Sequence, residues 1–256
     1  MLKNIRRTHF PKVSIIVVTF NALDFIKQCF ASIKKYTDDY ELIVVDNGSQ
    51  ANTVKWLKKQ TGLITIFNSE NRGFAAGNNQ GIKIAKGKYV LLLNSDTVVT
   101  KGWLPRLIRS IEENDKIGIV GPYSNYAVGD QNNPVFYSSL EEIHAFAEGF
   151  NRKEKETYHI SGFCMLLKRK TLNKVGLFDE NFKIANFEDV DYCIRVVRAG
   201  FKLKVANCFI HHFGSRSFIA NSDRIDLRQV YYKNFKLLTK KWSEQEIKKA
   251  YSNYLF

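Results

Sequence analysis

The sequence predicts an α/β fold in which helices flank a mostly parallel central sheet, with a more mixed second half. Three observations carry that expectation. Apolar runs of strand length alternate with helix-length segments through residues 11–121, the order that a parallel sheet with crossover helices requires. One run, residues 89–93 (YVLLL), is apolar throughout and stops abruptly on Asn94, Ser95, Asp96 and Thr97, as a fully buried strand does where it leaves the sheet. The strands also share polar ends: Thr19 with Asn21, Asp46, and Asp96 lie at the edge where open α/β sheets bind their ligands.

In chain order, residues 13–19 (VSIIVVT) read as the first strand, 23–35 as a helix and 41–46 (ELIVVD) as the second strand. Helix 54–60 and strand 63–67 follow. Residues 71–86 (NRGFAAGNNQGIKIAK) open on Asn and Gly, which tolerate the backbone angles of a tight approach to a ligand, and continue as a helix. Strand 89–93, helix 103–113 and strand 117–120 complete the first half. Beyond Pro122 the alternation breaks, and residues 123–137 are polar and Asn-rich, the mark of a surface loop. Residues 159–168 then read as a strand, 188–199 as a helix closed by Gly200, and 202–205 with 208–211 as short strands. Two helices, 224–241 and 244–255, end the chain. The expected organisation is one α/β domain over residues 1–223, with halves at 11–121 and 122–223, followed by basic, aromatic helices over 224–256.

Composition bounds what such a domain does. The formal charge of +14, from 39 Lys and Arg against 25 Asp and Glu, favours an anionic partner: a nucleotide, a nucleic acid or an acidic membrane face. With 45% hydrophobic residues and no low-complexity tract, wholesale disorder is excluded. The basic N-terminus leads into a short apolar run that ends at Thr19 without a small-residue cleavage site, so it is read as a strand and not as a signal peptide. No apolar run is long enough to cross a bilayer. Cys29, Cys164, Cys193 and Cys208 are scattered among apolar neighbours, which fits reduced core thiols of a cytoplasmic protein and neither a zinc site nor a disulfide framework.

The polar strand ends suit a nucleotide. Asp46 can accept from a base N–H or a ribose hydroxyl, and Arg72 can stack on a base or pair with phosphate. The alternative is that 46–49 (DNGS) is only a strand-ending turn, since these are the commonest turn residues. Asp96 fits a divalent cation, because Mg²⁺ is usually held by one or two carboxylates with phosphates and waters. The Gly-rich segment 72–81 lacks the Lys-Ser/Thr ending of a Walker loop, which disfavours P-loop chemistry. In the second half, Glu188, Asp189 and Asp191 fall in the first turn of a helix. Acids there complement the helix dipole, and one of them can also serve as a general base. His211 and His212 are core histidines or, one of them, a metal ligand.

With those residues in view, the chain resembles the family 2 glycosyltransferases, inverting nucleotide-sugar enzymes of the GT-A fold, and most of all the branch that includes bacterial rhamnosyltransferases. The landmarks are VSIIVVTFN at 13–21, ELIVVDNGS at 41–49, NRGFAAGNNQG at 71–81, LLLNSDT at 91–97, GLFDENF at 176–182, FEDVDYCIR at 187–195 and HFGSRS at 212–217, so the match covers most of the chain. The resemblance implies a Rossmann-like nucleotide-sugar half and an acceptor half. It implies a nucleotide-sugar site of Thr19, Asn21, Asp46, Asn71, Arg72, Gly73, Asn78, Asn94 and Ser95. Asp96 and His212 would hold Mg²⁺ or Mn²⁺, with His211 as the substitute for His212. Asn94 replaces the first acid of the family's Asp-x-Asp element. Asp189 would be the catalytic base, with Glu188 on the acceptor side.

The resemblance implies transfer of a hexosyl or deoxyhexosyl unit from a UDP- or dTDP-sugar to a glycan or lipid-linked glycan, in bacterial cell-surface polysaccharide synthesis. Eight Lys and Arg against three acids in 224–256, interleaved with Tyr, Phe, Leu and Trp, suit either a helix that packs on the domain or one that lies on an anionic membrane, at the cytoplasmic face. Two rival readings are a sugar-phosphate nucleotidyltransferase, which needs a Gly-rich, basic loop that 20–25 (FNALDF) does not offer, and a non-catalytic nucleic-acid-binding protein, for which no recognition motif is present. Nucleic acid is therefore not an expected partner.

Overall fold

The computed structural model describes residues 11–214 and 226–251. The last three residues of the HFGSRS landmark, the 223/224 boundary and the outer ends of the terminal helices lie outside the described residues. Strands β1 (Val13–Thr19), β2 (Tyr40–Asp46), β3 (Leu63–Phe67) and β4 (Tyr89–Asn94) are parallel neighbours in the order β3-β2-β1-β4. Their connections are α1 (Leu23–Tyr36), α2 (Ala51–Leu57) and α3 (Gly73–Ile84). After the two-residue strand β5 (Thr97–Val98), α4 (Trp103–Glu112) leads to β6 (Ile117–Tyr123).

The sheet continues through β8 (Cys164–Lys168), β6, β9 (Lys202–Phe209) and β7 (Lys155–Thr157). β8 is antiparallel to both β4 and β6, β6 and β9 are parallel, and β7 is antiparallel to β9. Helices α5 (Leu140–Glu148), α6 (Arg169–Val175) and α7 (Glu188–Arg198) belong to this half. Both faces are covered, as the continuous apolar runs require. On β4, Leu91 and Leu93 join Ile15, Val17, Trp103 and Leu107 on one face, while Val90 and Leu92 join Ile16, Ile82 and Tyr192 on the other.

The second half departs from the sequence expectation in several places. The strand expected at 159–168 begins only at Cys164, because the chain turns at Ser161, whose carbonyl accepts from Cys164 N–H. The two short strands expected at 202–211 are one continuous β9, followed by β10 (His211–His212). Helices α5 and α6, strands β5 and β7, and a single 3₁₀ turn at Gly129–Gln131 were not expected. Nor is the polar stretch 123–137 wholly at the surface: Gln131 is fully buried, donating to Pro122 O and accepting from Ser161 N–H.

Two terminal helices, α8 (Leu227–Lys241) and α9 (Glu244–Tyr251), pack on α7. Leu238, Ile247 and Ala250 are buried against Phe182, Phe187, Val190 and Ile194. The apolar face of these helices is thus used inside the protein. Lys233, Lys236, Lys240 and Tyr232 remain exposed.

Candidate active site

The parallel strands end together, and their register sets the first part of the site. Thr19 on β1 pairs with Asp46 on β2. Both are buried, and Thr19 Oγ1 and Asp46 Oδ1 have no hydrogen-bond partner among the described residues. Asp46 Oδ2 accepts from Ser49 N–H at 3.2 Å. Burial raises the Asp46 pKa above the usual carboxylate value, against the lowering effect of the Ser49 contacts. Asn21, in a left-handed conformation (φ 53°), ties the β1 and β2 loops together, donating to Ser49 Oγ and accepting from Gln50 N–H.

The small ribbon β5–β10 decides which histidine reaches Asp96. Its register pairs His212 with Thr97 and His211 with Val98. His212 Nε2 lies 3.1 Å from Asp96 Oδ1, and its ring stacks on Phe163. His211 instead packs among Tyr137 and Phe213, where burial lowers its pKa to about 4. His212 Nδ1 is 2.9 Å from the carbonyl of Tyr126, which only accepts, so Nδ1 carries the proton. Nε2 faces a carboxylate oxygen of Asp96. Two acceptors at 3.1 Å are compatible only with a proton or a cation between them. Among the described residues no cluster of three or more His, Cys, Asp or Glu side chains converges. A metal ion here would rest on Asp96 and His212, with oxygens from a bound phosphate group completing its shell.

The other end is built by the start of α7. Asp189 Oδ2 accepts from Gly162 N–H at 2.9 Å, and Oδ1 from Val190 N–H at 2.8 Å. His159 Nε2 stands 3.5 Å from the same Oδ2. Burial pushes the Asp189 pKa up, but His159 and the two N–H groups more than offset it, and the net direction is down. Glu188 is the opposite case: burial, then the charge of Asp189, raises its pKa well above the usual value, and its Oε2 has no partner among the described residues. Asp191 faces away from both. It is fully buried and accepts from Arg195 Nε, Trp242 Nε1 and Lys241 Nζ at 2.9, 2.9 and 2.7 Å.

The loop before α7 is strained. Ile184, Asn186 and Phe187 all have positive φ, at 63°, 78° and 73°. For a β-branched residue such as Ile184 this is an outlier. Gly73 permits it: a Cβ there would stand 2.7 Å from Ile184 N, and the next residue, Phe74, donates its N–H to Ile184 O.

Thr19, Asn71, Gly73, Asn94, Ser95, Asp96, Glu188, Asp189 and His212 line one cavity of about 280 Å³. Four other residues in the sequence-based site are not on its wall. Asp46 is the last residue of β2 and Asn21 lies two residues beyond β1, Arg72 is exposed at the N-cap of α3, and Asn78 is buried, donating to Phe74 O one turn back. The sequence reading missed Asn47, Phe74, Tyr126, His159, Gly162 and Tyr251, which also line the cavity. Asn47 and Phe74 stand inside the 41–49 and 71–81 landmarks beside residues that were named, Gly162 shows only as a turn residue inside an apolar run, and Tyr126, His159 and Tyr251 carry no local signal.

A family model described as Glycosyl transferase family 2 matches residues 14–176. The chain belongs to glycosyl transferase family 2. It is 29% identical over 177 residues to the glycosyltransferase GlyG of Streptococcus pneumoniae serotype 4, a match covering 64% of this chain and 58% of that protein. The chain therefore spans little more than half the length of that relative. Among solved structures it is similar to the mannosyltransferase PcManGT from Pyrobaculum calidifontis in complex with GDP-Man and Mn²⁺, with TM-score 0.64, 18% identity, and coverage of 94% of this chain and 68% of that one. It is also similar to GalNAc-T7 with UDP, GalNAc and Mn²⁺, with TM-score 0.63, 16% identity, and coverage of 80% and 44%. At these identities the likeness shows the fold, which is GT-A. The family match ends at 176, so Asp189 and His212 lie beyond it and rest on geometry and the sequence landmarks.

Proposed function

We propose that this glycosyl transferase family 2 protein moves a sugar from a nucleoside diphosphate donor to an acceptor hydroxyl, with inversion at the anomeric carbon. One observation carries the reading: the Asp96–His212 pair and the Asp189 carboxylate open onto the same cavity. Thr19, on the cavity wall with a buried Oγ1 that has no partner among the described residues, fits a base N–H or a ribose hydroxyl of a UDP- or dTDP-sugar, and Asp46, its register neighbour off the wall, backs it.

Asp96 and His212 would hold Mg²⁺ or Mn²⁺, which supplies charge neutralisation on the leaving diphosphate. Asp189, ionised and aimed into the cavity, takes the proton of the acceptor hydroxyl. Glu188, whose pKa burial raises, is disfavoured as a second negative charge beside the attacking oxygen and stands on the acceptor side. Inversion follows from a single displacement with the base and the diphosphate on opposite faces of the sugar. We place the protein in bacterial cell-surface glycan synthesis, acting on a glycan or lipid-linked glycan. The exposed Lys233, Lys236 and Lys240 on α8 supply an electrostatic contact with an anionic cytoplasmic membrane face, since the apolar side of that helix is already packed.

The test is thermal stabilisation by a panel of UDP-, dTDP- and GDP-sugars with and without Mn²⁺, because a ligand that binds only the folded state raises its melting temperature. A UDP- or dTDP-sugar should stabilise the wild type only with Mn²⁺, and Asp96→Ala should lose that response while remaining folded. Stabilisation that is unchanged by chelator, or kept by Asp96→Ala, overturns the reading.

A further inference from the structure

We propose that the ring of Tyr251, at the end of α9, is the surface on which the acceptor lies, and that it selects a neutral sugar whose C–H face packs on the ring while a hydroxyl reaches Asp189. The inference rests on the reading of Asp189 as the base and names the acceptor contact beside it.

With the diphosphate at Asp96 and His212, the acceptor comes to the Asp189 end of the cavity. That end is aromatic. Tyr251 lines the cavity, half-buried, with its ring centroid 6.0 Å from that of His159, which itself stands 3.5 Å from Asp189 Oδ2. Phe74 Cζ and Asp189 Oδ2 both lie against Gly162, at 3.0 and 3.5 Å from where a Cβ would stand. Phe187, directly before the two acids, is buried, with its centroid 5.7 Å from that of Tyr251 and 4.8 and 5.6 Å from those of Tyr231 and Phe235 on α8. The Tyr251 ring is thus held by a packed aromatic cluster and gives up little freedom when it meets a ligand. Tyr251 and Phe187 lie beyond residues 14–176, so this contact is carried outside the segment that the family model matches.

The chemistry of the wall chooses among acceptors. In a protein of net charge +14, the cavity wall carries no Lys or Arg among the described residues. The first N–H groups of α3, which also faces the cavity, are already used: Gly73 donates to Asn71 Oδ1 and Phe74 to Ile184 O. A phosphate next to the reacting hydroxyl would therefore meet Asp189 without a cation to pair with. A lipid chain fits no better, since Asp189, Glu188 and His159 make the same end polar and would lose water to it. A sugar ring matches both characters. It carries C–H groups on its faces and hydroxyls around its rim, so it packs flat on an aromatic side chain and hydrogen-bonds sideways. Any lipid carrier of the acceptor then stays outside the cavity.

The experiment uses the full chain with UDP or dTDP and Mn²⁺ present, and reads ligand binding by saturation-transfer difference NMR. The probes are the methyl glycosides of glucose, galactose, rhamnose and N-acetylglucosamine, with glucose 6-phosphate and octanol as the charged and apolar alternatives. A neutral glycoside should bind, with the strongest saturation on its ring C–H protons. Tyr251→Phe should keep that affinity, whereas Tyr251→Leu, which fills space against Phe187 without an aromatic face, should weaken it about 10-fold. Thermal stabilisation by the nucleotide with Mn²⁺ should be the same in both variants as in wild type. Wild-type affinity in Tyr251→Leu, tighter binding of glucose 6-phosphate or octanol, or no binding of any neutral glycoside overturns the proposal. So does loss of the nucleotide response along with the glycoside in Tyr251→Leu, which would mark a structural role. Transfer to the bound glycoside from UDP-glucose, UDP-GlcNAc or dTDP-rhamnose separates this from the base. If Asp189→Asn keeps wild-type transfer, the base reading itself has failed. If Asp189→Asn is inactive while Tyr251→Leu binds and transfers as wild type does, the base stands and the ring contact is wrong.

Discussion

The strand-end rim and the start of α7 each present a carboxylate to the cavity, and they hold it by different means. Asp96 follows directly from β4, and His212 is placed by the register of the β5–β10 ribbon, so main-chain pairing fixes the geometry. Asp189 instead follows a loop in which Ile184, Asn186 and Phe187 are left-handed, each costing about 1–3 kcal/mol. That loop is held from outside. Asn234 of α8 donates to the carbonyls of Lys183, Ala185 and Asn186 at 2.9, 2.8 and 3.3 Å, and Lys241 with Trp242 locks Asp191 one turn into α7. A sheet edge is rigid by construction, whereas a strained loop is only as well placed as the side chains that hold it.

The comparison is broken most directly at the two neighbouring carboxylates. Asp189→Asn keeps shape and removes basicity, so turnover should fall about 10²–10⁴-fold, roughly 3–5 kcal/mol of barrier. Donor binding, measured separately by thermal shift, should barely change. Unaltered turnover would place the base elsewhere.

Asp191→Asn should act on folding. Removing one partner of a buried ion pair costs about 3–5 kcal/mol, and because Arg195 and Lys241 keep 21% and 28% side-chain exposure the lower end is expected, about 3 kcal/mol. Urea unfolding measures it. A stable variant with lost turnover would reverse the roles assigned to the two acids.

A smaller effect, and the sharpest for the comparison, is expected from Asn234→Ala. It leaves three loop carbonyls without their donor and should cost about 1–3 kcal/mol. Turnover should fall while Mn²⁺-dependent nucleotide stabilisation stays, because the loop carries Asp189 and not Asp96. Equal damage to both measurements would show that the two regions are not separately held.

The smallest effect concerns Glu188. Its pKa is raised on folding by burial, so the folded state binds that proton more tightly. The resulting stability is fully present below the ordinary glutamate value and is lost as pH rises through the folded pKa. Glu188→Gln removes the titration. Its stability relative to wild type should therefore improve as pH rises through that window, by unfolding measured from pH 4 to pH 9; a constant difference would mean that Glu188 is already charged.

Much of this was legible beforehand, and unevenly. The parallel half could be read element by element, because a strand buried on both faces has to be a continuous apolar run and its crossover helix has to be amphipathic. The polar ends of those strands followed, while the choice of Asp189 among the three acids came only with the family resemblance. The second half was less legible. Strand β7 (Lys155–Thr157) has two exposed residues of its three and no apolar pattern to find, and α6 follows β8 without a connecting loop to mark it.

By itself, then, the sequence determined the α/β class, the order of the first strands and the set of carboxylates worth watching, since these depend on patterns a few residues long. Only the tertiary structure decided that His212 and not His211 meets Asp96, since one step of register in β10 exchanges the two faces. It alone brought His159 to Asp189 across 30 residues, and Asn234 to a loop about 50 residues before it. Contacts between distant segments are set by how elements pack, and no local pattern encodes them.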